Sequence, residues 1–424
     1  MDPLQATLLF SGFAILLALG VPIAVSIGLS ALLPLALSLD TDVALTTLAQ
    51  RMATGLDRFT LLAIPFFILS GQFMNRGGIA RRLIDFARAL VGMLPGGLAF
   101  VNVVSGMLFG AISGSAAAAA AGIGSFMLPR MEEQGYDRNF GAAINIASAT
   151  TSLIIPPSNI LIVYALASGG VSIAALFMAG YLPGLMVGGV LMGVSGVIAF
   201  RRGYPVDERV RAGEALRRGV AALPSLFLVV LVIGGIVGGV FTPTEAGAMA
   251  VLYSLILSVG IYREVKWRDV PEILVEASVM TSIVMLLIAT SMAFSWVLAY
   301  ERIPEAITEW LLSMGGGRIA TLLAINLILL VAGTVLDMTP AVLVFTPMLL
   351  PVAVGLGIDP VQFGIIMVLN LCIGLCTPPV GSVLFVGCSV AGTRIGATSY
   401  ALLPLYAGMI VVLLIETFFG HLWL

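Results

Sequence analysis

From Leu4 to the C-terminus one apolar run follows another, each long enough to cross a hydrocarbon core ~30 Å thick, which takes roughly 20 helical residues. Of the 424 residues 60% are hydrophobic and only 10% charged, with a mean hydropathy of +1.12, so no soluble domain accommodates this chain. The runs are too long for the strands of a membrane barrel. The sequence therefore describes an all-α polytopic protein whose solvent is the lipid bilayer. Met1-Asp2-Pro3-Leu4-Gln5 leads into the first run without a basic segment or a small-residue cleavage site, so that run is expected to be retained as a span.

The chain is related to itself by a shift of about 222 residues. Gly135-Tyr136-Asp137 meets Gly357-Ile358-Asp359, Pro156-Pro157 meets Pro378-Pro379, and Val21-Pro22 meets Thr242-Pro243. Residues 1–219 and 220–424 then form two repeats of one plan: two spans, an amphipathic arm, a third span, a charged stretch, an interrupted apolar region and two further spans. In the first repeat the leading spans fall at about 4–20 and 22–39 and the arm at 42–57. The interrupted regions, about 95–129 and 318–352, have the length of two membrane-deep half-helices, which makes each a re-entrant hairpin. Broken helices follow at about 138–167 and 361–390. Five crossings per repeat is odd, so the second repeat has the opposite orientation to the first.

Charge gives a separate test, because cytoplasmic loops carry the Lys and Arg excess. With the N-terminus outside, all but four of the 20 Lys and Arg fall in stretches assigned to the cytoplasm. The outer face keeps Arg51, Arg58, Arg302 and Arg318, which either anchor helix ends at headgroups or dock a partner.

The prolines mark the interior. Pro156-Pro157 and Pro378-Pro379 each interrupt an apolar helix, remove backbone donors and leave carbonyls without helical partners. In lipid such a break survives only where it is packed in protein or lines a polar cavity. The freed carbonyls, with Thr151, Ser152, Ser158 and Asn159 at one break and Thr377, Gly381 and Ser382 at the other, suit a small hard cation, and the half-helix beyond each break offers its N-terminus to an anion. One site can thus hold Na⁺ and a carboxylate. Each broken helix is preceded by a polar hairpin tip: Ser113-Gly114-Ser115, and Asp337-Met338-Thr339-Pro340. Asp337 is the one carboxylate deep in a hairpin and the expected oxygen ligand, with Ser115 and Thr377, of a sodium ion.

Other features read as structure. The alanine run after Ser115 is expected to pack helices closely, and Asn102, Asn145, Asn326 and Asn370 to bond across helices. Glu245 is expected to cap a helix start. Cys372, Cys376 and Cys388 read as small buried hydrophobes, and the lone histidine, His421, rules out a His-based site. No glycine-rich phosphate loop is present, and no nucleic-acid partner or catalytic residue is expected.

The segments GAISGSAAAAAAGIGSFMLPRMEEQGYD, TTSLIIPPSN, TPTEAGA, VLDMTPAVLVFTPMLLPV and CTPPVGSVLF together resemble the large membrane subunit of TRAP transporters, the tripartite ATP-independent periplasmic carriers, over essentially the whole chain. The resemblance implies an elevator-type ion-transporter fold in the bacterial inner membrane and sodium-driven import of an organic acid, typically a C4-dicarboxylate, sialic acid or another carboxylate. It also implies a periplasmic substrate-binding protein and a small four-helix membrane subunit, here expected as a separate chain. Residue by residue it places the hairpin tips on Ser113 to Ser115 and Asp337 to Pro340, and the broken helices on Thr150 to Asn159 and Cys376 to Ser382. A stand-alone carrier needing no binding protein and an ion channel are the alternatives.

Overall fold

A computed structural model describes residues 3–94, 96–205, 212–313 and 317–423. Those residues fold into nineteen α-helices joined by short turns. The first group is α1 (Pro3–Ala18), α2 (Ile23–Ser38), α3 (Thr41–Leu56), α4 (Ala63–Arg76) and α5 (Ile79–Val91). A second follows as α6 (Gly97–Ser113), α7 (Ala116–Glu133), α8 (Arg138–Ile154), α9 (Asn159–Ala167) and α10 (Ile173–Arg202). Next come α11 (Ala212–Val237), α12 (Pro243–Leu255), α13 (Val270–Tyr300) and α14 (Ile303–Ser313). The last group is α15 (Gly317–Val335), α16 (Met338–Gly355), α17 (Pro360–Leu375), α18 (Ser382–Ala391) and α19 (Ile395–Phe419).

Among the described residues seven helices are long and apolar enough to cross a membrane by themselves, and two bent pairs add to them: α3 with the segment Phe59–Arg76, bent by 66°, and α8 with α9, bent by 51°. The first two expected spans form helices of 16 residues, about 24 Å at 1.5 Å per residue, so they match the hydrocarbon thickness only with local thinning or headgroup-reaching flanks. The segments expected to form hairpins contain the helix pairs α6–α7 and α15–α16, and those expected to form broken helices contain α8–α9 and α17–α18. Pro95 lies outside the described residues, as do Arg209 and Arg211 of the basic stretch before α11.

Helix starts follow local chemistry. Asp137 caps α8 by accepting from the Phe140 amide at 2.8 Å, and at the equivalent start of α17 Asp359 accepts from the Val361 amide at 2.7 Å. Glu245 closes a capping box with Thr242, the structural role expected of it.

Two sets of contacts organise the chain. Helices α1 to α5 pack mainly with α11 to α13, while the hairpins and broken helices pack with one another and with α10 and α19. Each hairpin also crosses to the other half: α7 packs on α18, and α16 on α9. The close crossings repeat. A Cβ at Gly110 of α6 would stand 2.2 Å from Ser152 Cα in α8, and a Cβ at Gly374 of α17 would stand 2.5 Å from the backbone of Gly333 in α15. Beside each crossing lies a buried polar bond. Ser148 donates to Asn102 Oδ1 at 2.7 Å between α8 and α6, and Asn370 donates to Asn326 Oδ1 at 2.7 Å between α17 and α15. Asn145 donates to the Ala120 carbonyl at 2.8 Å, so all four asparagines bond across helices as expected.

Two of the basic residues assigned to the cytoplasmic side meet acids from the other half. Arg76 pairs with Glu272 at 3.1 Å and also with Glu276, and Arg82 pairs with Glu264 at 3.4 Å. The end of α4, the start of α5 and the start of α13 thus lie together.

The glycine crossings yield a stability test. Gly374→Ala places a methyl against a backbone that cannot move without parting α15 from α17, and overpacking of this kind costs about 1–3 kcal/mol. We expect a clear drop in the detergent melting temperature, with no change for Gly189→Ala, where nothing lies within 4 Å of the added atom.

Candidate functional site

Both hairpin tips and the half-helices beyond both breaks line one cavity of about 230 Å³. At ~30 Å³ per water that is room for roughly seven waters, or for a small organic molecule with an ion. At the first tip the backbone turns back on itself at Gly114, whose φ of +59° is a left-handed conformation that a side chain strains. A Cβ there would also approach Asn159 Nδ2 to 3.3 Å. Ser115 is extended and caps α7, its hydroxyl accepting from the Ala118 amide at 3.3 Å. The Ser113 side chain lies outside the described residues.

At the second tip Asp337 occupies the cap position of α16, yet its carboxylate makes no capping bond. It accepts instead from the Ser382 hydroxyl at 3.0 Å and is exposed to the cavity. Met338 and Thr339 line the cavity beside it, and Pro340 is buried behind them in the first turn of α16.

The breaks contribute less directly than their sequence suggests. Thr150, Thr151 and Ser152 are fully buried and do not reach the cavity. Their hydroxyls donate three residues back along α8, to the carbonyls of Ala147 at 2.7 Å, Ser148 at 2.6 Å and Ala149 at 2.5 Å, and this consumes their donors. Pro156 and Pro157 are buried, and Ser158 donates to the freed Leu153 carbonyl at 2.6 Å. Only Asn159, of the polar residues around this break, lines the cavity.

At the second break Thr377 donates to the Ile373 carbonyl at 2.7 Å and stays outside the lining, so the residue that joins Asp337 is Ser382 rather than Thr377. Cys376 is buried, its thiol 3.7 Å from the Ile146 carbonyl and its own carbonyl accepting from the Tyr406 hydroxyl. Pro378 and Pro379 are both exposed at the break without lining the cavity. Gly381 is buried where the carbonyls of Leu375 and Thr377 converge, each 2.7 Å from where its Cβ would sit.

Some lining residues escaped the motif analysis. Ile64, Ile68, Gly71, Gln72 and Asn75 come from α4, and Met280 and Val284 from α13. Two amides one turn apart inside an apolar run were a signal for Gln72 and Asn75. The alanine run divides: Ala119 and Ala120 are fully buried in packing, whereas Ala116, Ala117 and Ala118 line the cavity. The outer arginines stand elsewhere. Arg51 lies over the Trp296 ring at 4.6 Å, Arg58 borders a separate groove of about 330 Å³, Arg302 turns the chain between α13 and α14 with a φ of +54°, and Arg318 is exposed in the first turn of α15.

Comparison with known proteins gives the fold and the family. The YdaH transporter of Alcanivorax borkumensis superposes with a TM-score of 0.62 over 89% of this chain and 88% of that one at 14% identity, so the two share a fold. The protein YgiK of Salmonella typhimurium, whose function is uncharacterised, is 53% identical over 98% of this chain and 95% of its own length. The C4-dicarboxylate TRAP transporter large permease protein DctM of Pseudomonas aeruginosa is 43% identical over 93% of this chain and 91% of its own. Residues 10–422 match the family described as the tripartite ATP-independent periplasmic transporter, DctM component. With its seven or more apolar helices, the chain is a multi-pass protein of the bacterial inner membrane and belongs to the DctM family of TRAP transporter large permeases.

Proposed function

We propose that the chain imports an organic acid together with sodium, by moving the hairpins and broken helices as one body against the frame of α1 to α5 and α11 to α14. The observation that carries this reading is the one cavity lined by both tips and by the half-helices beyond both breaks. Its donors suit the two cargoes. Asp337 and the hydroxyls of Ser115 and Ser382 are hard oxygen ligands of the kind a small cation takes, and the carbonyls of Leu375 and Thr377 converge at Gly381, next to Ser382 in the chain. The amide groups at the starts of α7, α9 and α18 favour an anion. A carboxylate and a sodium ion bound side by side neutralise each other in a site of low dielectric, so each raises the affinity for the other. The sequence duplication, read with opposite orientations for residues 1–219 and 220–424, supplies the alternating access. A family built on permeases gives no support to an enzymatic role.

The same membership supports a small membrane subunit and a periplasmic binding protein as partners. The outer arginines, Arg51, Arg58, Arg302 and Arg318, are the charges available to steer such a protein.

Two experiments test this. Asp337→Ala should abolish sodium-dependent uptake in proteoliposomes while the protein keeps its melting temperature, and Ser382→Ala should lower uptake by roughly ten- to a hundredfold, since a hydrogen bond to a charged group is worth about 1.5–3 kcal/mol. Normal sodium dependence in Asp337→Ala would remove that residue from the coupling site. Uptake should also require the binding protein, and Arg302→Glu or Arg318→Glu should weaken it more at low salt than at high. Robust uptake with the small subunit alone would favour the stand-alone carrier.

A further inference from the structure

A further groove, of about 610 Å³, lies between the start of α8, the end of α10 and the start of α19, and shares no lining residue with the cavity of the tips. α10 and α19 are spans that pack on each other and on α8. Val197 and Phe200 on α10 and Leu403 on α19 stand exposed next in sequence to lining residues, and in a spanning helix an exposed apolar side chain faces lipid. The lining divides by chemistry. Ile198, Ala401 and Pro404 are apolar and lie toward the membrane interior, while Arg201 and Arg202, in the last turn of α10, stand at the end that the charge count assigns to the cytoplasm. From Ala397 to Pro404 the apolar track along α19 is about 10 Å long at 1.5 Å per residue.

The charge at this end is held in place. Arg202 lies over the Phe140 ring at 5.2 Å, donates to the Tyr204 hydroxyl at 3.2 Å and stands 4.0 Å from Asp137 Oδ1. Tyr204 is itself stacked on Tyr136, with ring centroids 4.1 Å apart. Asp137, the one carboxylate among the lining residues, is engaged by Arg202 and by the Phe140 amide. Arg201 is exposed and forms no ion pair among the described residues, so the groove keeps one uncompensated positive charge.

We propose that this groove binds an anionic phospholipid of the cytoplasmic leaflet, with the phosphate between Arg201 and Arg202 and an acyl chain along Ile198, Ala401 and Pro404. A guanidinium meets phosphate oxygens with paired, charge-assisted hydrogen bonds, and a basic pocket between spans on the cytoplasmic side is where such headgroups bind. A soluble anion leaves the apolar track empty. A zwitterionic lipid fills the track but carries no net charge to match Arg201. The helices that form the groove belong to the body moved in the transport reading, yet the lipid site stands independently of that reading.

The test follows the melting temperature of the purified full chain in a non-ionic detergent. It is titrated with phosphatidylglycerol, with phosphatidylcholine of the same acyl chains, and with inorganic phosphate. Each arginine beside an anionic headgroup contributes about fivefold in affinity, so phosphatidylglycerol should act at roughly thirtyfold lower concentration than phosphatidylcholine. Phosphate alone should not stabilise. Arg201→Gln should cut the preference to about fivefold, and Arg201→Gln with Arg202→Gln should erase it. Because Arg201 makes no ion pair within the chain, its single variant tests the site even where replacing Arg202 disturbs the Tyr204 stack. Ala397→Trp, which fills the track and leaves both arginines, should weaken the response to both lipids. Arg268→Gln, at an exposed arginine before α13, should leave the preference intact. The proposal is overturned by an equal response to the two lipids, by equal stabilisation with phosphate, or by a preference that survives the paired substitution. An unchanged lipid response in Ala397→Trp, or a preference lost in Arg268→Gln as well, overturns it too.

Discussion

A peptide group inside a membrane has no water to bond, so every interruption of a helix must find its replacement partners within the protein. Both proline pairs meet this demand with side chains and neighbouring backbone. Ser158 donates to the Leu153 carbonyl, Tyr406 to the Cys376 carbonyl, and the Val380 amide to the Thr334 carbonyl at 3.1 Å. Some of the carbonyls freed by the prolines are therefore part of the scaffold. Those of Leu375 and Thr377 are drawn together at Gly381, next to Ser382 in the chain.

Satisfying those groups requires close approach, and the chain achieves it with residues that lack bulk. Gly110 against Ser152 and Gly333 against Gly374 let each hairpin lie on its broken helix with backbones almost touching. In lipid there is little hydrophobic drive between helices, so this contact, with the buried Ser148–Asn102 and Asn370–Asn326 bonds beside it, fixes each tip relative to the helix it lies on. The tips can then be polar. Ser115 and Asp337 are placed by the helices behind them, and the exchange of partners between α7 and α18 and between α16 and α9 brings them to a common cavity.

Much of this was legible in the chain. Apolar runs of membrane length, paired prolines at one repeat distance and polar tips before each break follow from elementary constraints on backbone in hydrocarbon, and the helices observed begin and end within a few residues of those expectations. Asn159, Ser115, Asp337 and Ser382 were found this way and do line the cavity. Thr150, Thr151, Ser152 and Thr377 were not distinguishable from them in sequence. A hydroxyl near a break looks the same whether it faces the site or bonds back into its own helix.

That choice belongs to the tertiary structure, because which face of a helix meets a cavity depends on what packs against its other faces. α8 is buried on every side by α6, α7 and α19, so its hydroxyls turn inward on their own backbone, while Ser382 begins a helix whose first turn is open to Asp337. The contribution of α4 was settled in the same way: Gln72 and Asn75 are remote in sequence from every motif, and only the fold carries them to the site. The sequence determined that the chain must break inside the membrane and where it breaks, since proline has no amide to give. Which polar groups the breaks would share a cavity with was decided by packing alone.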